Sequence, residues 1–105
     1  MKLQQLFDEI LLTDFSAYSA LMFNLYEDKM MYTMEAVFGD EEFIIGRDDP
    51  AELEPTSEDF NLVLLRTSQL LSDFISENAS SFHHLLEISY GFVDGDLEYI
   101  RPINL

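Results

Sequence analysis

Residues 17–38 read AYSALMFNLYEDKMMYTMEAVF, and the period of this stretch decides the fold. Leu21, Phe23 and Leu25 point one way while Tyr18, Ala20, Met22, Asn24 and Tyr26 point the other, which is the alternation of a half-buried strand. After the polar turn Glu27-Asp28-Lys29, the residues Met30, Tyr32, Met34, Ala36 and Phe38 alternate with Met31, Thr33, Glu35 and Val37. The two runs predict a β-hairpin. Met22, Met30, Met31 and Met34 form a local methionine cluster, a composition that suits an adaptable binding surface as well as a core. Sharing a face with Tyr32 and Phe38 assigns Met30 and Met34 to the core and leaves Met31 exposed.

Upstream, Leu3, Leu6, Phe7, Ile10 and Leu11 recur at helical spacing with Lys2, Gln4, Gln5, Asp8 and Glu9 between them, predicting a helix over residues 2–13. Downstream, Gly39-Asp40-Glu41-Glu42 turns the chain into a short strand, Phe43-Ile44-Ile45, ended by Gly46. Residues 46–56 hold Pro50 and Pro55 among Asp48, Asp49, Glu52 and Glu54, and read as a connecting loop. Thr56 with Asp59 resembles a capping box, and Glu58 and Asp59 place negative charge where a helix dipole favours it. The apolar stripe Phe60, Val63, Leu64, Thr67, Leu70, Leu71, Phe74 and Ile75 carries that helix to Glu77, with Asn78 as a left-handed C-cap.

Residues 82–93 alternate again, Phe82, His84, Leu86, Ile88, Tyr90 and Phe92 against His83, Leu85, Glu87, Ser89 and Val93. Asp94-Gly95 is the preferred pair for a type I′ turn, which would set Phe92 opposite Leu97, Tyr90 opposite Tyr99 and Ile88 opposite Arg101. Pro102 suits a strand end at an edge. The order α-β-β-(β)-α-β-β predicts an α+β fold: a mainly antiparallel sheet of four to five strands with two helices packed on one face. Leu64, Leu71 and Phe74 should meet Leu86, Ile88 and Tyr90 in its core. With no repeat, low-complexity tract or linker, residues 1–105 read as a single domain.

Five Lys and Arg against 21 Asp and Glu give a formal net charge of -16, which opposes binding to nucleic acid and to anionic lipid. The 48% hydrophobic content rules out reading this charge as disorder. The longest charge-free stretch, Phe15 to Tyr26, falls short of the ~20 residues that span a bilayer, and the N-terminus has no secretory pattern. A soluble, cytoplasmic protein is expected.

Little in the chain is set up for catalysis. The absence of cysteine removes thiol nucleophiles and thiolate metal sites. His83 and His84 with Glu87 invite a metal or acid–base reading, but on a strand the two histidines face opposite ways and His83 lies about 13 Å from Glu87. Two ligands without cysteine also make an incomplete zinc set. The expected places are a sheet end for His84 and solvent for His83. Ser57, Ser80 and Ser81 lie in no nucleophile elbow, Asp94-Gly95-Asp96 and Asp48-Asp49 do not build a calcium loop, and the four scattered glycines make no phosphate loop. No enzyme activity, metal or cofactor is expected.

The strongest feature is a run of acids. Asp40, Glu41, Glu42, Asp48, Asp49, Glu52, Glu54, Glu58 and Asp59 stand against a single Arg47. A net charge of about 2 to 8 already keeps a small domain soluble, so the excess points to a surface that meets a basic partner. These nine residues are the predicted partner-binding set.

The order of elements and the charge together resemble bacterial immunity proteins, small cytoplasmic antidotes encoded beside polymorphic or contact-dependent toxins. Within that group the chain is similar to the YezG-like class. The likeness runs through the N-terminal amphipathic helix, the strand Ala17 to Phe23 and the hairpin through Met31-Tyr32-Thr33-Met34. It continues with the helix from Thr56 and the closing hairpin Ile88 to Phe92 with Leu97-Glu98-Tyr99. It implies stoichiometric binding of a cognate toxin domain, such as an RNase or DNase with a basic cleft, and leaves a homodimer open. Two further readings are an acidic nucleic-acid mimic that blocks a DNA- or RNA-binding protein and an acidic adaptor or chaperone of a secreted effector.

Overall fold

A computed structural model describes residues 1–28, 30–56 and 59–101. The chain runs α1 (Leu3–Leu12), β1 (Ala20–Glu27), β2 (Met31–Phe38), β3 (Phe43–Ile45), β4 (Ala51–Pro55), α2 (Phe60–Glu77), α3 (Ala79–Phe82), β5 (Glu87–Phe92) and β6 (Glu98–Arg101). The fold is α+β. Its sheet is mainly antiparallel as expected but mixed, four of its five strand pairings being antiparallel and one parallel, and among the described residues it has six strands with three helices rather than four to five strands with two helices.

The hairpin of residues 17–38 forms as expected: β1 and β2 pair antiparallel from Leu21↔Phe38 to Glu27↔Tyr32. β1 then pairs in parallel with β5, with Leu21, Phe23 and Leu25 beside Ile88, Tyr90 and Phe92. The path across the sheet is β3-β2-β1-β5-β6, with β4 also on β2. Thus β3 takes residues 36–38 of β2 and β4 takes residues 31–34, two short segments sharing one edge.

One face of this sheet carries the core. Leu21, Phe23, Leu25, Tyr32, Met34, Ala36, Phe38, Ile88 and Tyr90 join Leu6, Phe7 and Ile10 of α1, Val63, Leu71, Phe74 and Ile75 of α2, and Phe82 of α3 in one apolar cluster. The helices also meet each other: the Phe7 and Phe74 rings stack at 4.0 Å between centroids. At one end of the sheet Tyr32, Phe60 and Phe92 make three edge-on contacts, at 5.3 to 6.0 Å, a favoured aromatic geometry. No helix among the described residues is long and apolar enough to cross a membrane.

The segment read as a loop contains a strand. Ala51-Glu52-Leu53-Glu54 alternates with period two, and pairing places Met31 opposite Pro55 and Met34 opposite Ala51. Prolines at its borders are tolerated because an edge strand has backbone groups that need no partner. A bulge between Tyr32 and Thr33 leaves Leu53 without an opposite residue.

The start of α2 shifts too. Asp59, not Thr56, is the N-cap, its Oδ1 accepting from the Leu62 amide at 3.1 Å, while the Thr56 hydroxyl donates to the Asp28 carbonyl. Asp59 therefore precedes the first turn, and Glu58 lies outside the described residues, as do Lys29, Ser57 and Pro102. Asn78 caps α2 at φ -126° and ψ 35°, outside the left-handed region; its side chain donates to the Phe74 carbonyl at 2.9 Å.

The alternation read over residues 82–93 fails in its first half. Ala79–Phe82 is a helical turn, His83 and His84 follow it, and the strand begins at Glu87. Phe82 and Leu85 are buried while Leu86 is 61% exposed and so is not part of the core; Leu71 and Phe74 are core and Leu64 is only partly buried. Arg101 holds this corner, its Nη1 donating to the carbonyls of Phe82 at 2.6 Å and Leu85 at 3.0 Å.

The closing turn is not type I′, because neither Asp94 nor Gly95 has positive φ. Ile88 pairs with Arg101 as expected, but a bulge after it puts Ser89 opposite Tyr99 and Tyr90 opposite Glu98. Close approach explains the wider loop: a Cβ on Gly91 would lie 2.7 Å from the Asp96 carbonyl oxygen, so only glycine lets the loop fold over β5 there. Met30 is 82% exposed rather than core, since β2 starts one residue later.

Candidate functional site

The sheet face opposite the helices carries Asn24, Tyr26, Thr33, Glu35, Val37 and Ser89. An outward sheet face is ordinarily solvated, yet Asn24, Thr33, Glu35 and Ser89 are 3 to 8% exposed. Local structure explains the enclosure. Gly46 follows β3 with φ 91°, a conformation that costs glycine least, and the chain then brings Arg47 and Pro50 beside this face. Glu41 and Val93 also line it. The result is a concavity of about 500 Å³.

Glu35 is the most enclosed acid among the concavity's lining residues. The residue is 5% exposed, and its Oε1 accepts from the Tyr26 hydroxyl at 2.7 Å and from the Asn24 amide at 3.2 Å. Burying a carboxylate is costly without such donors. Tyr26 responds: its hydrogen bond to Glu35, then burial and the charge of Glu35, push its pKa up to about 12, and Arg47 opposes the rise. Tyr26 is therefore a neutral donor at physiological pH. Glu27 and Asp28 add negative charge to the lining.

The predicted acidic set divides by task. Asp49 accepts from the Met1 amine at 2.7 Å, Glu54 pairs with Arg66 at 2.8 Å, tying β4 to α2, and Asp59 caps α2. These three have structural work. Asp40, Glu41, Glu42 and Asp48 are exposed on the turns that flank β3, and Glu52 is exposed on β4. Those five thus lie on or beside one sheet edge, next to the concavity that Glu41 lines. Glu58 lies outside the described residues.

The histidines are not brought together with Glu87 as a site. His83 Nδ1–H donates to the Ser80 carbonyl at 2.6 Å, and His84 Nε2–H to the Phe15 carbonyl at 3.1 Å. A smaller concavity gathers Asp14, Ser16, Ser80, Ser81 and His84, a grouping the sequence reading missed because Asp14 and His84 lie 70 positions apart. Asp14 and one nitrogen of His84 are already engaged. Asp14 Oδ1 accepts from the Ser16 hydroxyl and amide, which hold its pKa below the ordinary carboxylate value, and the Nε2 proton of His84 is engaged by the backbone. Among the described residues no three His, Cys, Asp or Glu side chains converge to hold a metal.

The Glu35 concavity was also missed. Its signal was Asn24, Thr33 and Glu35 on the outward face of the hairpin, where polar residues read as ordinary solvated positions. No family model, curated protein or solved structure matches the chain.

Proposed function

We propose that this chain is an immunity protein, a cytoplasmic antidote that neutralises a toxin domain by stoichiometric binding, with no reaction or cofactor of its own. The partner is a basic domain, for which a nuclease with a phosphate-binding cleft is the fitting chemistry. One observation carries the reading: Asp40, Glu41, Glu42, Asp48 and Glu52 lie exposed on or beside one sheet edge, with Arg47 the single cation of that segment. Such a surface speeds encounter with a basic cleft and disfavours neutral or acidic competitors. It also repels nucleic acid and anionic lipid, leaving protein as the favoured partner class.

The test begins with capture of the partner from a native lysate and coexpression with it. Coexpression should relieve the partner's toxicity. Association rates are then compared for two fourfold reversals to lysine, Asp40, Glu42, Asp48 and Glu52 on the edge, and Asp73, Glu77, Asp96 and Glu98 elsewhere. The edge set should slow association by about tenfold or more and flatten its salt dependence, while the second set changes it far less. Equal slowing by both sets would make net charge the whole effect. A captured partner without basic excess, or one whose toxicity persists, would overturn the reading.

A further inference from the structure

We infer that the Glu35 concavity is a receptor for one arginine side chain, presented by the basic protein partner that docks along the β3–β4 edge. This inference rests on the reading of the chain as a binder of a basic domain.

The argument starts from the unshared oxygen of a buried acid. Glu35 is 5% exposed, both of its hydrogen bonds go to Oε1, and no described residue donates to Oε2. Among the described residues no side-chain nitrogen or oxygen is shut away from solvent without a hydrogen-bond partner. Oε2 is therefore reachable from solvent, and Glu35 is one of the residues that line the concavity. Its carboxylate is held in place by Asn24 and Tyr26, so an incoming donor finds a fixed acceptor and loses little by ordering it.

The charge of the lining selects a cation. Glu27, Glu35 and Glu41 stand against Arg47, which makes no ion pair within 4.0 Å among the described residues. A metal ion would need several converging ligands, and the carboxylates do not converge. Guanidinium fits better than ammonium for two reasons. It is weakly hydrated, so leaving water for a nearly enclosed carboxylate costs it less, and its planar array of five donors can serve Oε2 together with acceptors on Asn24 and Thr33. About 500 Å³ is within the range of small-ligand sites and leaves room for bridging water.

Position supplies the source. Glu41, Arg47 and Pro50 line the concavity and belong to the same segment as the exposed acids Asp40, Glu42 and Asp48. A protein lying along that edge can therefore insert a side chain without leaving the charged surface that attracted it. Buried arginine anchors of this type commonly dominate an interface while the surrounding charges steer.

The experiment uses the full chain and needs no partner. Backbone amide spectra are recorded during titration with N-acetyl-arginine amide, with N-acetyl-norleucine amide as the neutral control. The arginine probe should give saturable shifts centred on Asn24, Tyr26, Thr33, Glu35 and Arg47, and the control none. Glu35→Gln should weaken the probe at least tenfold, and Arg47→Ala, which removes a competing cation from the rim, should tighten it. The edge reversal of Asp40, Glu42, Asp48 and Glu52 should leave probe shifts at Glu35, so loss of partner binding and loss of the pocket are separable. Shifts confined to the exposed acids, or affinity unchanged in Glu35→Gln, would overturn the inference. If Glu35→Gln fails to fold, Arg47→Ala decides, and an affinity that stays equal or falls sinks the idea. Free arginine binding tenfold tighter than its blocked amide would assign the site to an amino acid instead of a partner's side chain.

Discussion

Tyr26 and Glu35 show how far a single position can be read before the chain folds. Alternation puts both on the same outward face, and pairing of β1 with β2 sets Tyr26 opposite Thr33 and Asn24 opposite Glu35. What alternation lacks is the roof, which comes from residues 41–50 and from Val93. The pair has a measurable signature. Because Tyr26 is raised from 10.0 to about 12, the folded state keeps a phenolic proton that the unfolded chain loses. Its contribution to stability is complete below pH 10 and disappears as the pH rises through 12. Denaturant midpoints followed from neutral to alkaline pH should therefore fall less steeply in Tyr26→Phe than in the parent. At neutral pH the same substitution leaves a buried carboxylate with one donor and should cost about 1–2 kcal/mol. A variant with unchanged neutral stability and an unchanged alkaline slope would place Tyr26 outside this network.

Among the elements, the amphipathic patterns bounded by clear turns were legible, and the segments at 51–55 and 82–86 were not. The first helix, the hairpin, β3 and α2 appear where their periods place them, because each has enough residues or a strong enough turn to show its buried face. β4 also had its signal in Ala51-Glu52-Leu53-Glu54, but two prolines and four acids nearby gave loop chemistry more weight than an edge strand requires. The opposite error occurs at Phe82–Leu86, where apolar residues alternate by chance of a helical turn and its exit: Phe82 and Leu85 are three apart and both buried. Arg101, distant in sequence, holds the carbonyls there. The face of α2 can be checked directly. Leu71 is fully buried and Leu65 is 66% exposed, though both are leucines of one helix. Leu71→Ala should destabilise the protein by about 2–5 kcal/mol, against a change within about 0.5 kcal/mol for Leu65→Ala, as read from urea unfolding. Similar costs at both positions would mean that α2 is rotated about its axis.

For the whole molecule, charge and topology are decided at different levels. A net charge of -16 means self-repulsion in the compact state, and among the described residues two ion pairs offset it locally. Screening should relieve it: as the Debye length falls from about 30 Å at 0.01 M salt to about 3 Å at 1 M, the thermal midpoint should rise. A midpoint that falls with sodium chloride would show that attractive pairs outweigh the repulsion. The charge itself, the α+β class, the central hairpin and the helical faces follow from the sequence alone, because composition and local period are properties of neighbouring residues. The parallel β1–β5 pair, the sharing of one β2 edge by β3 and β4, and the enclosure of Glu35 needed tertiary structure. The helix α2, about 27 Å long at 1.5 Å per residue for its 18 residues, carries the chain from the β4 edge to the far side of β1. Which side of β1 receives β5 depends on how Ile88, Tyr90 and Phe92 fit beside Leu21, Phe23 and Leu25 beneath the helices. That fit is a contact between residues more than 60 positions apart, and no local period encodes it.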